Sequence, residues 1–296
     1  MASVFHDVLQ TVMQNFHLIG ALSLFTLGVV LTYKTTNVVN FSQATVATVG
    51  AYMAGLLVRD FGCNPWLAMV IGVVLCFLIG IFLDAVVIRH IGGGTGRSMV
   101  TIALIVIFTA AIPLVFGTIP FNFPRFFSGQ IEFSLFGVDF NVTENALFVL
   151  LVSFAIIAIV FLALNLTKWG LGVRGTSSNM YVASMMGVNT HMMTALSWGI
   201  SGACGALAGI LMASQTQVIN STMLAMVSSN AFLALVVGGF ATFFGPIIGA
   251  VLIQVVLSMM GFASGIWATA LTYIVVMLVI LAKPSGLFGK AIQKKV

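Results

Sequence analysis

Charged residues are unusually few in this sequence. Of its 296 residues, 11 are Lys or Arg and six are Asp or Glu, so charged side chains make up 6% of the chain, against roughly 25% in soluble globular domains. Hydrophobic residues make up 60%. This composition excludes an ordinary soluble domain and predicts an integral membrane protein. We expect no nucleic-acid partner for such a chain.

Acidic residues are almost absent from the apolar segments, and this bears on how energy could be supplied. Secondary transporters and proton pumps usually hold ionisable side chains near the bilayer centre. Here Asp84 is the one acid inside an apolar segment, about one turn from its end and near Arg89 and His90. We interpret Asp84 as a member of an interfacial ion pair, with a proton site as the alternative. Coupling through protons of this chain is therefore not expected.

Patterns for metal binding, nucleotide binding and covalent catalysis are also missing. The cysteines Cys63, Cys76 and Cys204 are scattered and lack metal-ligand spacing. The glycine-rich stretch 92–98 does not have the G-x-x-x-x-G-K-[ST] spacing of a phosphate loop. No catalytic set of Ser, His and Asp or of Cys and His converges in the sequence. We therefore predict a protein that is not an enzyme and has no cofactor of its own.

Long apolar runs, by contrast, recur along the whole chain. About 18 apolar residues suffice to cross a hydrocarbon core as a helix, and helices satisfy their own backbone in lipid. The sequence predicts an all-α polytopic membrane protein, a single transmembrane domain over 1–296 with about eight or nine spans. The predicted spans are 16–33, 43–59, 66–88, 98–118, 144–166, 191–213, 226–241, 244–261 and 266–283. The segment 226–241 is short and ends in glycines, so a re-entrant helix is the alternative there.

Basic residues predict the orientation, because cytoplasmic loops carry an excess of Lys and Arg. The loops rich in Lys and Arg alternate with loops that are poor in them, which places the amino terminus outside and the carboxyl terminus, with a basic tail over 284–296, in the cytoplasm. The basic residues concerned are Lys34, Arg89, Arg97, Lys168, Arg174, Lys283, Lys290, Lys294 and Lys295. Residues 1–15 have helical apolar spacing and predict an external amphipathic helix, with a loose extension of the first span as the alternative.

Neutral polar side chains are the polarity that remains inside the apolar segments. Asn40 and Gln43 are three residues apart and would share a helix face, and Asn230 lies in the short segment 226–241. We predict that these three residues line a translocation path for a small polar solute. Hydrogen bonds between helices, with no part in transport, are the alternative.

One sustained polar stretch, from Asn165 to Thr190, interrupts the apolar chain. Within it we predict a cytoplasmic loop over 167–190. Because the chain is otherwise so apolar, we expect that one long basic interruption of this kind serves to contact a partner.

A short helix is predicted inside this loop, over 179–186. Ser177 or Ser178 is the expected N-cap, and Gly187 is a suitable residue for the position after the helix. The helix would have one apolar face that fits the groove of a partner protein; a helix lying on the lipid surface is the alternative. That face is formed by Tyr181, Val182 and Met185.

Four blocks of sequence, in order along the chain, point to a known family. They are Val-Asn-Phe-Ser-Gln at 39–43 with Gly-Ala-Tyr at 50–52, the stretch 174–189, Gly-Gly at 238–239 with Gly-Pro-Ile-Ile-Gly at 245–249, and Pro-Ser-Gly-Leu-Phe-Gly at 284–289. Together they resemble the LivH-type permeases of branched-chain amino acid ABC importers. The stretch 174–189 is similar to the loop that contacts the ATPase in those permeases.

The resemblance implies a permease subunit in the plasma membrane of a prokaryote, which is the inner membrane in a Gram-negative cell. Its implied partners are a second related permease chain, two cytoplasmic ATPase subunits that use ATP, and an external solute-binding protein, besides membrane lipid. Branched-chain amino acids come first among the implied solutes, followed by other amino acids, amides, urea and small carboxylates. An ATP-independent channel or facilitator for a small neutral solute is the alternative function.

Residue by residue, the resemblance carries the ATPase-coupling role to four positions of the loop, and the apolar helix face adds two more. These six residues are Arg174, Tyr181, Ala183, Met185, Gly187 and Val188. The chain departs from the family at Ala44 and Thr45, where Gly and an acid are common, and at Asp84, where Glu is common. The change at Thr45 removes a charge near the predicted path.

Overall fold

The computed structural model describes residues 2–135 and 138–289, and this part of the chain is mostly helical. Its α-helices, in chain order, are α1 (Ala2–Gln14), α2 (Phe16–Thr36), α3 (Gln43–Phe61), α4 (Pro65–Phe82), α5 (Gly94–Phe116), α6 (Glu144–Leu166), α7 (Lys168–Ser178), α8 (Met180–Met185), α9 (Thr190–Thr216), α10 (Ala225–Gly238), α11 (Gly245–Ser264) and α12 (Ala268–Ala282). The basic tail predicted over 284–296 lies outside the described residues from position 290 onward.

Two short β-sheets add to the all-α fold that the sequence predicts. Strands β2 (Gln130–Leu135) and β3 (Val138–Thr143) pair antiparallel, with Gln130 opposite Thr143. Strands β1 (Phe121–Asn122) and β4 (Val218–Ile219) form a second antiparallel pair. Both sheets lie in connections between long helices, so the helical bundle is unchanged by them.

Seven helical segments of the described chain are long and apolar enough to cross a membrane. They are Phe16–Thr36, Pro65–His90, Gly94–Phe116, Glu144–Leu166, Thr190–Thr216, Gly245–Phe262 and Gly265–Ala282, and they match seven of the predicted spans. The other two predicted spans correspond to α3 and α10. Since α10 has 14 residues, it is about 21 Å long and falls short of a hydrocarbon core of about 30 Å. A polytopic helical membrane protein is therefore confirmed, whereas the count of eight or nine spans stays a prediction.

Helices α2 and α9 form the centre of the bundle. Burial reaches 78% in the apolar stretch of α2 and 72% in that of α9, against 17–33% in the segments of α4, α5, α6 and α12. Close packing at the centre depends on glycine, because a Cβ atom at Gly202 of α9 would collide with the Cys76 carbonyl of α4. A Cβ at Gly80 would likewise collide with the backbone of Trp198. The small residues thus let helix backbones touch.

The first helix, α1, forms where an amphipathic helix is predicted. Its Gln10 side chain donates to the Asn141 carbonyl at 2.6 Å and accepts from the Asn141 amide at 3.2 Å, so α1 is fixed to strand β3. Residues Ala2–Gln14 are helical, and the external amphipathic role of α1 stays a prediction.

At its far end, α4 continues through a π-helical turn, Leu83–Val87, and a short 3₁₀ turn, Ile88–His90. Asp84 in the π turn is 2% exposed, and its Oδ2 accepts from Arg89 at 3.2 Å and from the Thr194 hydroxyl at 3.0 Å. The predicted ion pair with Arg89 is therefore confirmed. Asp84 itself is buried and faces α9, whereas the Arg89 side chain is partly exposed.

Candidate functional site

The polar stretch after α6 forms two helices, where the sequence predicts a loop with one. Helix α7 ends at Ser178, and α8 starts at Met180. The predicted N-caps Ser177 and Ser178 are wrong, since both residues belong to α7. Asn179 is the cap: its backbone is extended, and its Oδ1 accepts from the amides of Tyr181 at 3.0 Å and Val182 at 3.1 Å. An Asn side chain caps a helix as well as Ser does. The helix therefore begins at Met180, one residue later than predicted.

Helix α7 gives α8 a fixed base. The Thr167 hydroxyl caps α7 by accepting from the Gly170 amide at 3.1 Å, and Gly170 lies against the backbone of Leu164 in α6. Val173 and Thr176 are buried towards the bundle. Arg174, on the opposite side, is exposed, with a hydrogen bond of 3.4 Å to the Asn165 side chain.

The short helix α8 has an outward apolar face, as predicted. The exposed fractions are 69% for Tyr181, 51% for Val182 and 67% for Met185. Ala183 faces the other way and is 6% exposed. Of the residues predicted to couple to an ATPase, Arg174, Tyr181 and Met185 are thus available on the surface, and Ala183 packs inward beneath them. Val188 is half-buried.

Gly187 follows α8, as predicted, and its φ of 82° lies in the left-handed region that favours glycine. Its amide donates to the Ser184 carbonyl at 3.1 Å, and the Val188 amide donates to the Ala183 carbonyl at 3.0 Å. Two residues later Asn189 caps α9 by accepting from the Met192 amide at 3.0 Å. The surface helix is therefore joined to the central helix α9 by a short and ordered turn.

Gln43, the first residue of α3, connects the two central helices. Its Nε2 donates to the Phe25 carbonyl of α2 at 3.0 Å, and its Oε1 accepts from the Ser201 hydroxyl of α9 at 2.8 Å. The side chain is 1% exposed. This is the helix-bridging arrangement that the sequence left as the alternative to a path role.

Asn40 and Asn230 lie in different surroundings. Asn40 is 5% exposed and accepts from the Ser42 hydroxyl at 2.8 Å. Asn230 is 7% exposed, lies 3.4 Å from the Tyr273 hydroxyl, and lines a cavity of about 320 Å³ together with Gln254 and other residues of α1, α2, α9 and α11. The structure thus places Asn40 and Gln43 near each other but Asn230 in a separate cavity, so their shared path role stays a prediction.

A second cavity was not predicted. It measures about 210 Å³ and lies between α3, α5 and α10. Its polar lining residues are all hydroxyl-bearing, namely Thr45, Thr48, Thr109, Ser221, Thr222 and Ser228. Thr45, Thr48 and Ser228 stand out in the sequence as polar residues in apolar segments, which is the signal that could have pointed to this site. Their convergence depends on helix packing that the sequence does not contain.

Comparison with known families identifies the chain. A model of the family described as "Branched-chain amino acid transport system / permease component" matches residues 13–283. The chain belongs to this permease family. It is a transport subunit rather than an enzyme, and a multi-pass membrane protein, as the sequence predicted.

Relatives within the permease family match over most or all of their length. A probable branched-chain amino acid transport permease protein LivH of Methanocaldococcus jannaschii is 27% identical over 286 residues, covering 90% of this chain and 88% of the relative. The high-affinity branched-chain amino acid permease LivH of Salmonella typhimurium is 23% identical, with 100% of both chains covered. BraD of Pseudomonas aeruginosa is 22% identical, also with 100% of both covered.

A solved structure shares the fold of this permease. It is PsaBC from Streptococcus pneumoniae in complex with Fab, which matches with a TM-score of 0.51 and 13% identity over 95% of each chain. Identity this low shows similarity of architecture and nothing about the transported solute.

Proposed function

We propose that this chain is the membrane permease subunit of an ABC importer and that branched-chain amino acids are its first expected solutes. The family description and the names of the relatives support the solute class. The observation that carries the importer role is the surface of α7 and α8. Arg174, Tyr181 and Met185 are exposed on it, whereas Val173 and Thr176 of α7 are buried towards the bundle. A channel that works without ATP has no need of such a surface.

In this proposal the chain works with a second related permease chain, two cytoplasmic ATPase chains and an external solute-binding protein. The loaded binding protein docks on the outside, and ATP brings the ATPase chains together. Movement of α8 then passes to α9 through the short turn at Gly187, because an ordered connection transmits displacement better than a flexible loop. The helices alternate between outward-open and inward-open arrangements.

The proposed topology has nine crossings, with the amino terminus outside, and in it α10 crosses together with the chain segment that precedes it. Several basic side chains lie where helix ends meet on one side of the bundle: Lys34 at the end of α2 donates to the Ala241 carbonyl at 2.9 Å. Arg89, beyond α4, donates to the His191 carbonyl near the start of α9 at 3.2 Å. Gathering of Lys and Arg on one side supports a cytoplasmic position for that side. Strands β2 and β3 are then external.

The translocation path is proposed to follow the face where α3, α5 and α10 meet. Helix α5 is among the least buried, with 17% of its apolar stretch covered by the rest of the chain, which leaves a side for the second permease chain to complete. The cavity lined by Thr45, Thr48 and Ser228 lies between these three helices.

Co-purification tests the proposed function. The chain should be expressed with an affinity tag in its native cells and purified in mild detergent, and its ATPase activity should be measured. We expect an ATPase chain in about equal amount and hydrolysis that rises when the loaded solute-binding protein is added. Uptake of solute by proteoliposomes that contain this chain alone, without ATP, would instead establish the facilitator.

A further inference from the structure

Five helices meet around a small cavity of about 60 Å³. Its lining includes Met180, the first residue of α8, and Thr36, the last residue of α2. Asp84 from the π turn after α4, Arg97 from the first turn of α5 and His191 from the first turn of α9 line it as well. The start of α8 therefore lies beside the end of α4 and not beside α9 alone.

Asp84 and Thr194 join the end of α4 to the start of α9. Thr194, in the second turn of α9, is 4% exposed, and its hydroxyl donates to Asp84 Oδ2 at 3.0 Å. The same hydroxyl lies 3.1 Å from the His191 carbonyl oxygen of its own helix. Arg89, which also donates to Asp84 Oδ2, reaches α9 through a second hydrogen bond of 3.2 Å, from its Nη2 to the His191 carbonyl. Two hydrogen bonds therefore cross from the end of α4 to the first two turns of α9.

The Asp84 carboxylate depends on these few contacts. It is 2% exposed, and a charge buried this deeply is costly unless it is paired and hydrogen-bonded. Within the described residues only Arg89 and Thr194 donate to it, both to Oδ2, and the buried Nε of Arg89 has no partner there. A buried polar network with so few bonds loses much when any one of them is removed. A charge kept in this position favours a role in holding one defined arrangement of the two helices.

The same two helices also touch through their backbones. A Cβ atom at Gly80 of α4 would collide with the Trp198 carbonyl oxygen of α9. Gly80 precedes Asp84 by four residues and Trp198 follows Thr194 by four residues, so this contact is about one helical turn from the hydrogen-bonded one on both helices. Tightly packed contacts transmit displacement, because they contain little free space that could absorb it. A shift of α9 at this level is therefore passed to α4.

The turn after α8 leads directly into this region. Asn189 caps α9 by accepting from the Met192 amide at 3.0 Å, and Thr194 lies two residues further along the same helix. Because Thr190–Thr216 is one continuous helix, displacement of the turn at Gly187 reaches Thr194 through helical backbone. The hydrogen bonds of Thr194 and Arg89 are thus the first contacts that this displacement meets on α4.

We propose that Asp84, Arg89 and Thr194 fasten the end of α4 to the start of α9, so that displacement of α8 moves both helices together. This inference rests on the proposed function, because it names further residues that pass the motion of the ATPase chains into the membrane. The three are positioning residues: they act through α4 and α9 and do not belong to the exposed face of α8. Without them, α8 would displace α9 while α4 stayed behind.

Spin labels on the two helices test whether they move together. Phe82, the last residue of α4, and Met192, in the first turn of α9, are 57% and 54% exposed, so labels are attached to Phe82→Cys and Met192→Cys in a Cys63→Ser background. The distance between the labels is measured by electron paramagnetic resonance in nanodiscs with the chains that co-purify, with and without a non-hydrolysable ATP analogue. We expect one distance in both states, and a distance that changes with nucleotide once Thr194→Val is added.

Stimulation of the ATPase by the loaded solute-binding protein is the second readout. Thr194→Val keeps the side-chain shape but removes the hydroxyl, and we expect stimulation to fall about tenfold, because a hydrogen bond to a charged group favours one arrangement by about that factor. Thr194→Ser keeps the hydroxyl and should retain most of the stimulation. Thr190→Val is the matched control, since Thr190 is 6% exposed on the same helix and its hydroxyl has no hydrogen bond to another described residue; it should behave like the parent.

Asp84→Asn distinguishes one network from two independent contacts. It removes the ion pair with Arg89 and should also lower stimulation, and the double variant with Thr194→Val should be little worse than either single variant. Three results would overturn the proposal: a label distance that changes with nucleotide without Thr194→Val, a distance that stays constant with it, and effects of the two substitutions on stimulation that simply add. If an ATPase chain co-purifies with the parent while any of these results is obtained, the importer role stands and only the positioning role is refuted.

Discussion

Gln43 and Ser201 are joined by a hydrogen bond of 2.8 Å between the amide oxygen of α3 and the hydroxyl of α9. Because the Gln43 amide nitrogen also donates to the Phe25 carbonyl of α2, this one side chain holds three helices at the centre of the bundle. A Cβ at Gly28 of α2 would lie 2.5 Å from the Gln43 Nε2, so the close approach of α2 is part of the same contact.

A double-mutant cycle measures this contact. Gln43→Leu and Ser201→Ala each remove the hydrogen bond, and we expect a coupling free energy of about 1 kcal/mol, as for hydrogen bonds between membrane helices. The measurement is unfolding of the purified protein in detergent. Uptake per assembled complex should fall in both single variants, and further in Gln43→Leu, because that substitution also removes the hydrogen bond to the Phe25 carbonyl. A fall confined to Gln43→Leu, at unchanged stability, would contradict the bridging role and favour the path role that the sequence predicted.

Labelling from the two sides of the membrane tests the topology. Ser178 at the end of α7 and Ser134 in β2 are both exposed. In a Cys63→Ser background, an impermeant maleimide should label Ser134→Cys in intact cells and Ser178→Cys after the membrane is opened. Labelling of both variants from the same side would refute the proposed orientation.

Much of this fold could be predicted because its spans are long and strongly apolar. The two helices that fell short of that pattern, α3 and α10, are those that begin inside the bundle, next to the buried residues Gln43 and Leu224, where packing and not hydropathy sets the boundary. Helix α7 was missed because a polar helix fixed by Gly170 against α6 has no clear periodicity. The paired strands β2 and β3 did have a usable signal, since Ile131, Phe133 and Leu135 alternate with polar residues before a Gly-containing turn.

The candidate site was only partly predictable for a related reason. The apolar face of α8 is local, so spacing along one helix was enough to predict it. The cavity of about 210 Å³, by contrast, combines residues from α3, α5, α10 and the segment before α10. No pattern within a single segment brings Thr45 and Ser228 together.

Docking of an ATPase on α8 is tested by a charge at Met185. Met185→Asp would place a carboxylate in an apolar contact, and we expect loss of most ATPase co-purification because an unpaired buried charge costs several kcal/mol. Met185→Leu keeps the apolar surface and should behave like the parent. Ser184→Asp adds the same charge to the same helix at the edge of the face formed by Tyr181, Val182 and Met185, and it should have a smaller effect. Equal loss with both Asp variants would indicate that charge anywhere on α8 is harmful and would remove the evidence for a defined face.

At Gly187, the space available for a side chain and the positive backbone φ can be tested separately. A Cβ atom there would meet nothing within 4 Å in the described part of the chain, so crowding by those residues is not the reason for glycine; the φ of 82° is. A β-branched residue in this conformation is strained by about 1–2 kcal/mol, whereas Asn adopts it more easily. Gly187→Val should therefore reduce the ATPase stimulation produced by the loaded solute-binding protein, and Gly187→Asn should retain most of it. Both variants should insert normally, since the turn lies outside the long apolar helices. If Asn is as harmful as Val, the partner surface itself must leave no room for a side chain at this position, and the backbone explanation fails. If neither variant changes stimulation, the turn between α8 and α9 does not transmit the motion of the ATPase.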